Sequence, residues 1–181
     1  MSGRLWLVRH GATDWSDAGR LNGWTDVPLN DRGRSQAKRL AGELDGRVFA
    51  AVWTSDLSRA METARLAAWE GVADSRLREI DFGELEGRTW EQCPTEARDA
   101  LVAFEGFQAP GGETVAELRR RIHEFLRGLG EGDHLVFTHG GVIRLLLGAT
   151  GRNERVDPGA LVSLSLDSSS PLVSEMRRGE G

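Results

Sequence analysis

The chain has no tyrosine, one cysteine and five prolines among 181 residues. A lone cysteine, Cys93, excludes an internal disulfide and a cluster of thiolate metal ligands, and it fits a reducing compartment. No apolar run reaches the roughly 20 residues that span a bilayer, and no basic-then-apolar leader precedes the first apolar segment, so the expected location is cytoplasmic with no membrane partner. The formal net charge is −5 and the basic residues form no tail or stripe, which argues against a general nucleic-acid binder. An anionic substrate would have to be held by a local cluster. All but Lys38 of the 23 basic residues are arginine, so an arginine near a motif carries weight only through its position. Repeats, low-complexity tracts and linkers are also missing. With 39% hydrophobic content, the expectation is one domain over 1–181, burying about 70% of the surface that its unfolded form exposes.

What is present is a pair of tripeptides, Arg9-His10-Gly11 and Thr138-His139-Gly140. Each follows an apolar run that reads as a buried strand, Leu5-Trp6-Leu7-Val8 before the first and Leu135-Val136-Phe137 before the second. Two imidazoles therefore emerge where parallel strands end, the edge at which open α/β sheets bind ligands. Between them, Asn30 is placed to cap a helix that carries Ala37, Leu40, Ala41 and Leu44 and ends near Gly46. Phe49 to Trp53 reads as a strand, followed by a helix with Arg59, Thr63, Leu66 and Ala67. A short extended piece around Leu77 delivers Glu79. Thr89 to Phe107 reads as an irregular helix interrupted by Pro94, and Thr114 with Glu117 forms a capping box for a helix with Val115, Leu118, Ile122, Phe125 and Leu129 on its apolar face. Leu161–Leu166 and Leu172–Met176 read as a strand pair at the sheet edge. The order predicts a three-layer α/β/α sandwich with a mainly parallel sheet, an antiparallel edge and a small helical cap over about 84–112.

Loops at one sheet edge bring Arg9, His10, Arg59, Glu79 and His139 within reach of each other. A transferring phosphoryl group spreads negative charge over its oxygens, and guanidinium forks match that charge bidentately. The amides of Gly11 and Gly140 are further candidate donors. A neutral imidazole with one nitrogen fixed as a donor has a lone pair on the other and can attack phosphorus. His10 is the candidate nucleophile and His139 a candidate donor to a phosphoryl oxygen. A single histidine at a strand end is ordinarily a satisfied polar residue; the adjacent arginine and glycine and the second histidine-glycine pair favour the chemical reading. Glu79 is the candidate proton donor to a leaving alcohol, with Glu84 and Glu86 on a loop nearby. Two histidines and a carboxylate would also suit zinc, but Arg9 would set a positive charge beside the cation.

Five ordered segments resemble the histidine phosphatase superfamily, also called phosphoglycerate mutase-like: Leu7 to Gly11, Thr54 to Ala60 with Thr63-Ala64, Leu77 to Gly83 with Glu86-Gly87, Gly112-Glu113-Thr114, and Thr138 to Gly141. The resemblance spans Leu5 to about Ala149. It implies His10 as the phosphorylated nucleophile, Glu79 as proton donor, and Arg9, Arg59 and His139 as the rest of the phosphate pocket, with no cofactor and no metal. Ala12 stands where many members carry Glu, and Ser16 where many carry an Asn that contacts the phosphoryl group. Asn22 and Gly23 occupy positions where members line the pocket with Gln or Ser followed by Gly. Mutases of this kind shield the intermediate with a long insertion after the glutamate; only a short cap fits between Glu79 and Glu113 here. The expected activity is a phosphatase acting on a small phosphorylated metabolite, with α-ribazole 5′-phosphate as the first candidate and Trp90, Phe104 and Phe107 as cap residues that carry specificity. A cofactor-dependent phosphoglycerate mutase and a non-catalytic phosphoryl-binding module are the alternatives, and a homodimer is compatible with the sequence.

Overall fold

Strand β1 (Arg4–Arg9) lies beside β4 (His134–Thr138) in parallel and β5 (Leu161–Ser165) in antiparallel orientation. Beyond β4 come β2 (Ala51–Thr54) and the short β3 (Val72–Ala73), both parallel, giving the order β3-β2-β4-β1-β5. This computed structural model describes residues 2–152 and 154–167. The expected α/β fold with a mainly parallel sheet and an antiparallel edge is what forms.

Side chains alternate across the strands and divide the core into two layers. Leu5, Leu7 and Val136 point to the face covered by α5 (Val115–Arg127) and α6 (Gly140–Gly148), meeting Leu118, Ile122, Val142 and Ile143. Val8, Leu135 and Phe137 point to the other face, where α2 (Asp31–Glu43) brings Leu40 and α3 (Ser58–Leu66) brings Ala64. Two local signals stand as read from the sequence. The Asn30 side chain accepts the Gly33 N–H at 2.9 Å, and Thr114 and Glu117 exchange both bonds of a capping box.

Other expectations shift for identifiable reasons. The segment around Leu77 is a 3-10 turn, Ser75–Leu77, because the Asp74 carboxylate caps it through the Arg76 N–H; the extended residues are Val72–Ala73. The irregular helix over 89–107 resolves into a 3-10 turn, Trp90–Gln92, and α4 (Thr95–Ala103), with Pro94 at the helix start, where its missing N–H costs nothing. The loop over 13–24 contains a one-turn helix, α1 (Asp14–Asp17), capped by Thr13. Strand β2 begins at Ala51, and Phe49 instead packs its ring edge-on against Trp6 and Trp69. The expected strand over Leu172–Met176 lies outside the described residues. Among the described residues, no helix is long and apolar enough to cross a membrane.

Candidate active site

Strands β1 and β4 pair in a register that sets Arg9 opposite Thr138. The next residues, His10 and His139, therefore leave the sheet side by side: His10 N–H donates to Thr138 O at 3.0 Å, and the imidazole centroids are 5.1 Å apart. The His10 ring is oriented by its own turn. Its Nδ1 lies 2.7 Å from the Gly11 carbonyl, which only accepts, so the proton sits on Nδ1 and Nε2 carries the lone pair. His139 is held from β2: its Nε2 is 2.8 Å from Ser55 Oγ. Among the described residues His139 Nε2 is the one acceptor that the Ser55 hydroxyl proton meets, so that proton goes to Nε2 and the neutral ring carries its hydrogen on Nδ1.

The arginines are anchored by their outer nitrogens. Arg9 donates through Nη1 to Val156 O at 2.6 Å and has Gly140 beside its guanidinium, where a Cβ would stand 3.3 Å from Cζ. Arg59 is fully buried and donates to Gly23 O at 2.6 Å and Thr25 O at 3.1 Å. Thr63 ties α3 to the histidine turn, donating to Arg59 O and accepting the Gly11 N–H at 3.0 Å. The Gly11 amide, a candidate phosphate donor from the sequence, is thus spent on structure. Its close neighbour explains the glycine: a Cβ there would stand 2.4 Å from Gly33 O. Arg9 Nε, Arg59 Nε and His139 Nδ1 are left as buried donors without a hydrogen-bond partner. Three unspent donors beside a free imidazole lone pair are a set that can receive an oxyanion.

Burial lowers the pKa of His10 well below the ordinary imidazole range, and the positive fields of Arg59 and Arg9 add to it against the Gly11 hydrogen bond. His139 shifts the same way, through burial and then Arg59, His10, Arg121 and Arg9. Both rings are neutral at physiological pH, as nucleophilic attack requires. The same shifts set the acid stability. Above about pH 6.5 these rings are neutral folded and unfolded, and below it the unfolded chain binds protons that the folded one does not, so stability falls with pH by about 1.4 kcal/mol per unit per ring until the folded pKa is reached. Thermal midpoints measured from about pH 8 down to about pH 5 are expected to drop less in His139→Gln than in the parent; equal drops would contradict this.

Glu79 sits 7% exposed at the cavity wall, with Oε1 accepting from Ile80 N at 2.9 Å and Oε2 from Gly141 N at 2.9 Å. The Glu86 carboxylate accepts the Trp24 and Thr25 amides and so holds the loop that receives Arg59. Ser16 lines the cavity, but its one hydroxyl proton goes to Thr13 O at 2.9 Å, so the expected phosphate donor is spent on the α1 cap. Asn22 also lines the cavity, with Oδ1 buried and unpartnered, whereas Gly23 serves through its carbonyl as an anchor for Arg59. Among the described residues, no three His, Cys, Asp or Glu side chains gather closely enough to hold a metal ion.

The cavity, about 530 Å³, continues past His10 under the cap. Leu21, Phe82, Trp90, Leu101 and Phe104 supply an apolar wall, and Arg20, Arg144 and Arg155 a basic rim. Phe107, expected among the specificity residues, is instead 1% exposed in the core, edge-on to Phe82. Sequence reasoning gave no role to Ser55, Thr63 or Arg121. Ser55 carried one usable signal, a hydroxyl directly after a strand on the same sheet edge as His139.

The family model for the histidine phosphatase superfamily (branch 1) matches residues 5–176. The chain belongs to this superfamily. Phosphoglycerate mutase-like protein 4 of Arabidopsis thaliana is 36% identical over 155 residues, covering 77% of this chain and 67% of that relative. The crystal structure of TTHB049 from Thermus thermophilus superposes with a TM-score of 0.84 at 45% identity, covering 89% of this chain and 92% of the other. A structure from Escherichia coli strain K-12, presented as a candidate alpha-ribazole-5′-P phosphatase, has a TM-score of 0.79 at 29% identity and covers 93% of this chain and 92% of its own. The similar proteins thus divide between mutase-like and phosphatase names.

Proposed function

We propose that the protein is a metal-independent phosphomonoesterase that works through phosphohistidine. The observation that carries this is the fixed tautomer of His10, whose lone pair on Nε2 faces no competing proton and is flanked by the unspent donors of Arg9, Arg59 and His139. In the first half-reaction the Nε2 lone pair forms a bond to phosphorus as the ester P–O bond breaks, and Glu79 delivers a proton to the departing alkoxide. In the second, water attacks phosphorus, Glu79 takes its proton, the N–P bond breaks and the electron pair returns to Nε2. The guanidinium groups and His139 Nδ1 neutralise the equatorial oxygens in both steps. The arginines supply the positive charge that a metal ion would otherwise bring. Turnover of an aryl phosphate should therefore survive chelators and be inhibited by vanadate; loss of activity on chelation, restored by a divalent ion, would overturn the metal-independent reading.

The substrate is read from the space beyond the phosphate. Cap side chains Trp90 and Phe104 with Phe82 and Leu21 suit an apolar or aromatic alcohol, and the basic rim suits an added anionic group. α-Ribazole 5′-phosphate, with its fused aromatic ring, is the first candidate. The names of the mutase-like relatives favour a second reading, a phosphoglycerate mutase. The cap here is built from 3-10 turns and one nine-residue helix, which favours water access to the intermediate. Adding 3-phosphoglycerate with a trace of 2,3-bisphosphoglycerate separates them: the phosphatase reading expects inorganic phosphate and no 2-phosphoglycerate, and net isomerisation without phosphate release would reject it.

A further inference from the structure

We infer that Arg121, locked to Glu113, is a positioning residue that holds the Glu79 segment in place for proton transfer to the leaving group. This rests on Glu79 being the acid proposed above. Arg121 lies on α5, and its guanidinium makes a bond for each of its five N–H groups: Nε and Nη2 to the two oxygens of Glu113 at 2.7 and 2.8 Å, Nη1 to the carbonyls of Arg76 and Arg78 at 2.6 and 2.7 Å, and Nη2 to the carbonyl of Glu79 at 2.8 Å. The pair is nearly dry, with side chains 14% and 11% exposed. A buried bidentate pair whose remaining donors all reach carbonyls over residues 76–79 fixes that backbone more tightly than any single contact could.

Glu113 carries the clamp into the cap. Its N–H donates to Asp81 O at 2.9 Å, and its carboxylate accepts the Asp81 N–H at 3.4 Å. Gly83, at φ +50°, packs against the backbone of Pro110 and Gly112, where a Cβ would stand 2.2 Å from Pro110 O. One guanidinium therefore joins α5, the returning end of the cap and the peptide that bears the acid. The carboxyl of Glu79 is then set on its far side by Ile80 N–H and Gly141 N–H. Lysine at 121 would keep a charge but not the planar fork, and would leave several of these acceptors unmatched.

A leaving-group comparison tests this, because proton donation matters for an alkyl ester and hardly at all for p-nitrophenyl phosphate. We compare kcat/KM for p-nitrophenyl phosphate and an alkyl phosphate in the parent, Glu79→Gln, Arg121→Lys and Glu113→Gln proteins. Arg121→Lys and Glu113→Gln are expected to lose about 10- to 100-fold on the alkyl ester and less than about 3-fold on the aryl ester, a weaker copy of Glu79→Gln. A merely structural role would lower both substrates together. If Glu79→Gln is selective and neither other variant is, the positioning role is wrong and the acid stands. If Glu79→Gln is itself unselective, the acid assignment fails and this inference falls with it. Should Arg121→Lys fail to fold, Glu113→Gln, which is isosteric and keeps the amide contact to Asp81, decides alone.

Discussion

Replacement of His10 by glutamine is expected to lower kcat on an aryl phosphate by about 10⁴-fold or more while leaving a folded protein. Glutamine approximates the reach of the imidazole as far as Nε2, and the close packing of the turn against Gly33 belongs to Gly11, which is unchanged. What it lacks is a basic lone pair able to bond phosphorus and leave again. Exchanging one buried, neutral imidazole in a cationic pocket for a neutral amide should leave the protein folded, since that ring already resists protonation. Phosphate-ester binding should persist, because the donors of Arg9, Arg59 and His139 remain. Turnover within 10-fold of the parent would show that the nucleophile is another group or a water molecule.

The second large effect is expected at Arg59. Arg59→Lys should reduce kcat/KM by about 10² to 10³-fold and weaken inhibition by inorganic phosphate and vanadate in parallel. The guanidinium does two things at once here: its outer nitrogens grip the carbonyls of Gly23 and Thr25, and its Nε is a buried donor with no protein acceptor. A lysine ammonium cannot hold both loop carbonyls and still present a donor along the Nε direction. Burial already lowers the pKa of this arginine, with Glu79 opposing the shift, so a lysine in the same place would be drawn toward its neutral form far more readily. Separate effects on turnover and on oxyanion inhibition would show that Arg59 serves the loop and not the phosphoryl group.

Much of this site is legible in the chain because its parts are local. His10 and His139 each follow an apolar strand and precede a glycine, and an α/β sheet places such turns at one edge. The caps at Asn30 and Thr114 are readable for the same reason, since donor and acceptor lie three residues apart. Register is not local. That Arg9 stands opposite Thr138, and so brings the two rings to 5.1 Å, depends on β4 inserting between β2 and β1. Ser55 and Thr63 acquire their roles only through that neighbourhood. Arg121 is hidden differently, as the last of three consecutive arginines on α5. Its position three residues after buried Leu118 turns it toward the core, and only the packed structure shows which carbonyls it meets. Ser16 illustrates the converse: a hydroxyl placed at the cavity by sequence is taken by the cap of its own helix turn.

Rapid mixing with ³²P-labelled aryl phosphate, quenching in alkali and mapping of the labelled peptide tests the central claim most directly. The expected result is an acid-labile, alkali-stable phosphoryl group on His10, formed at least as fast as turnover and absent from His10→Gln. Label on another residue, or none during sustained turnover, would contradict it.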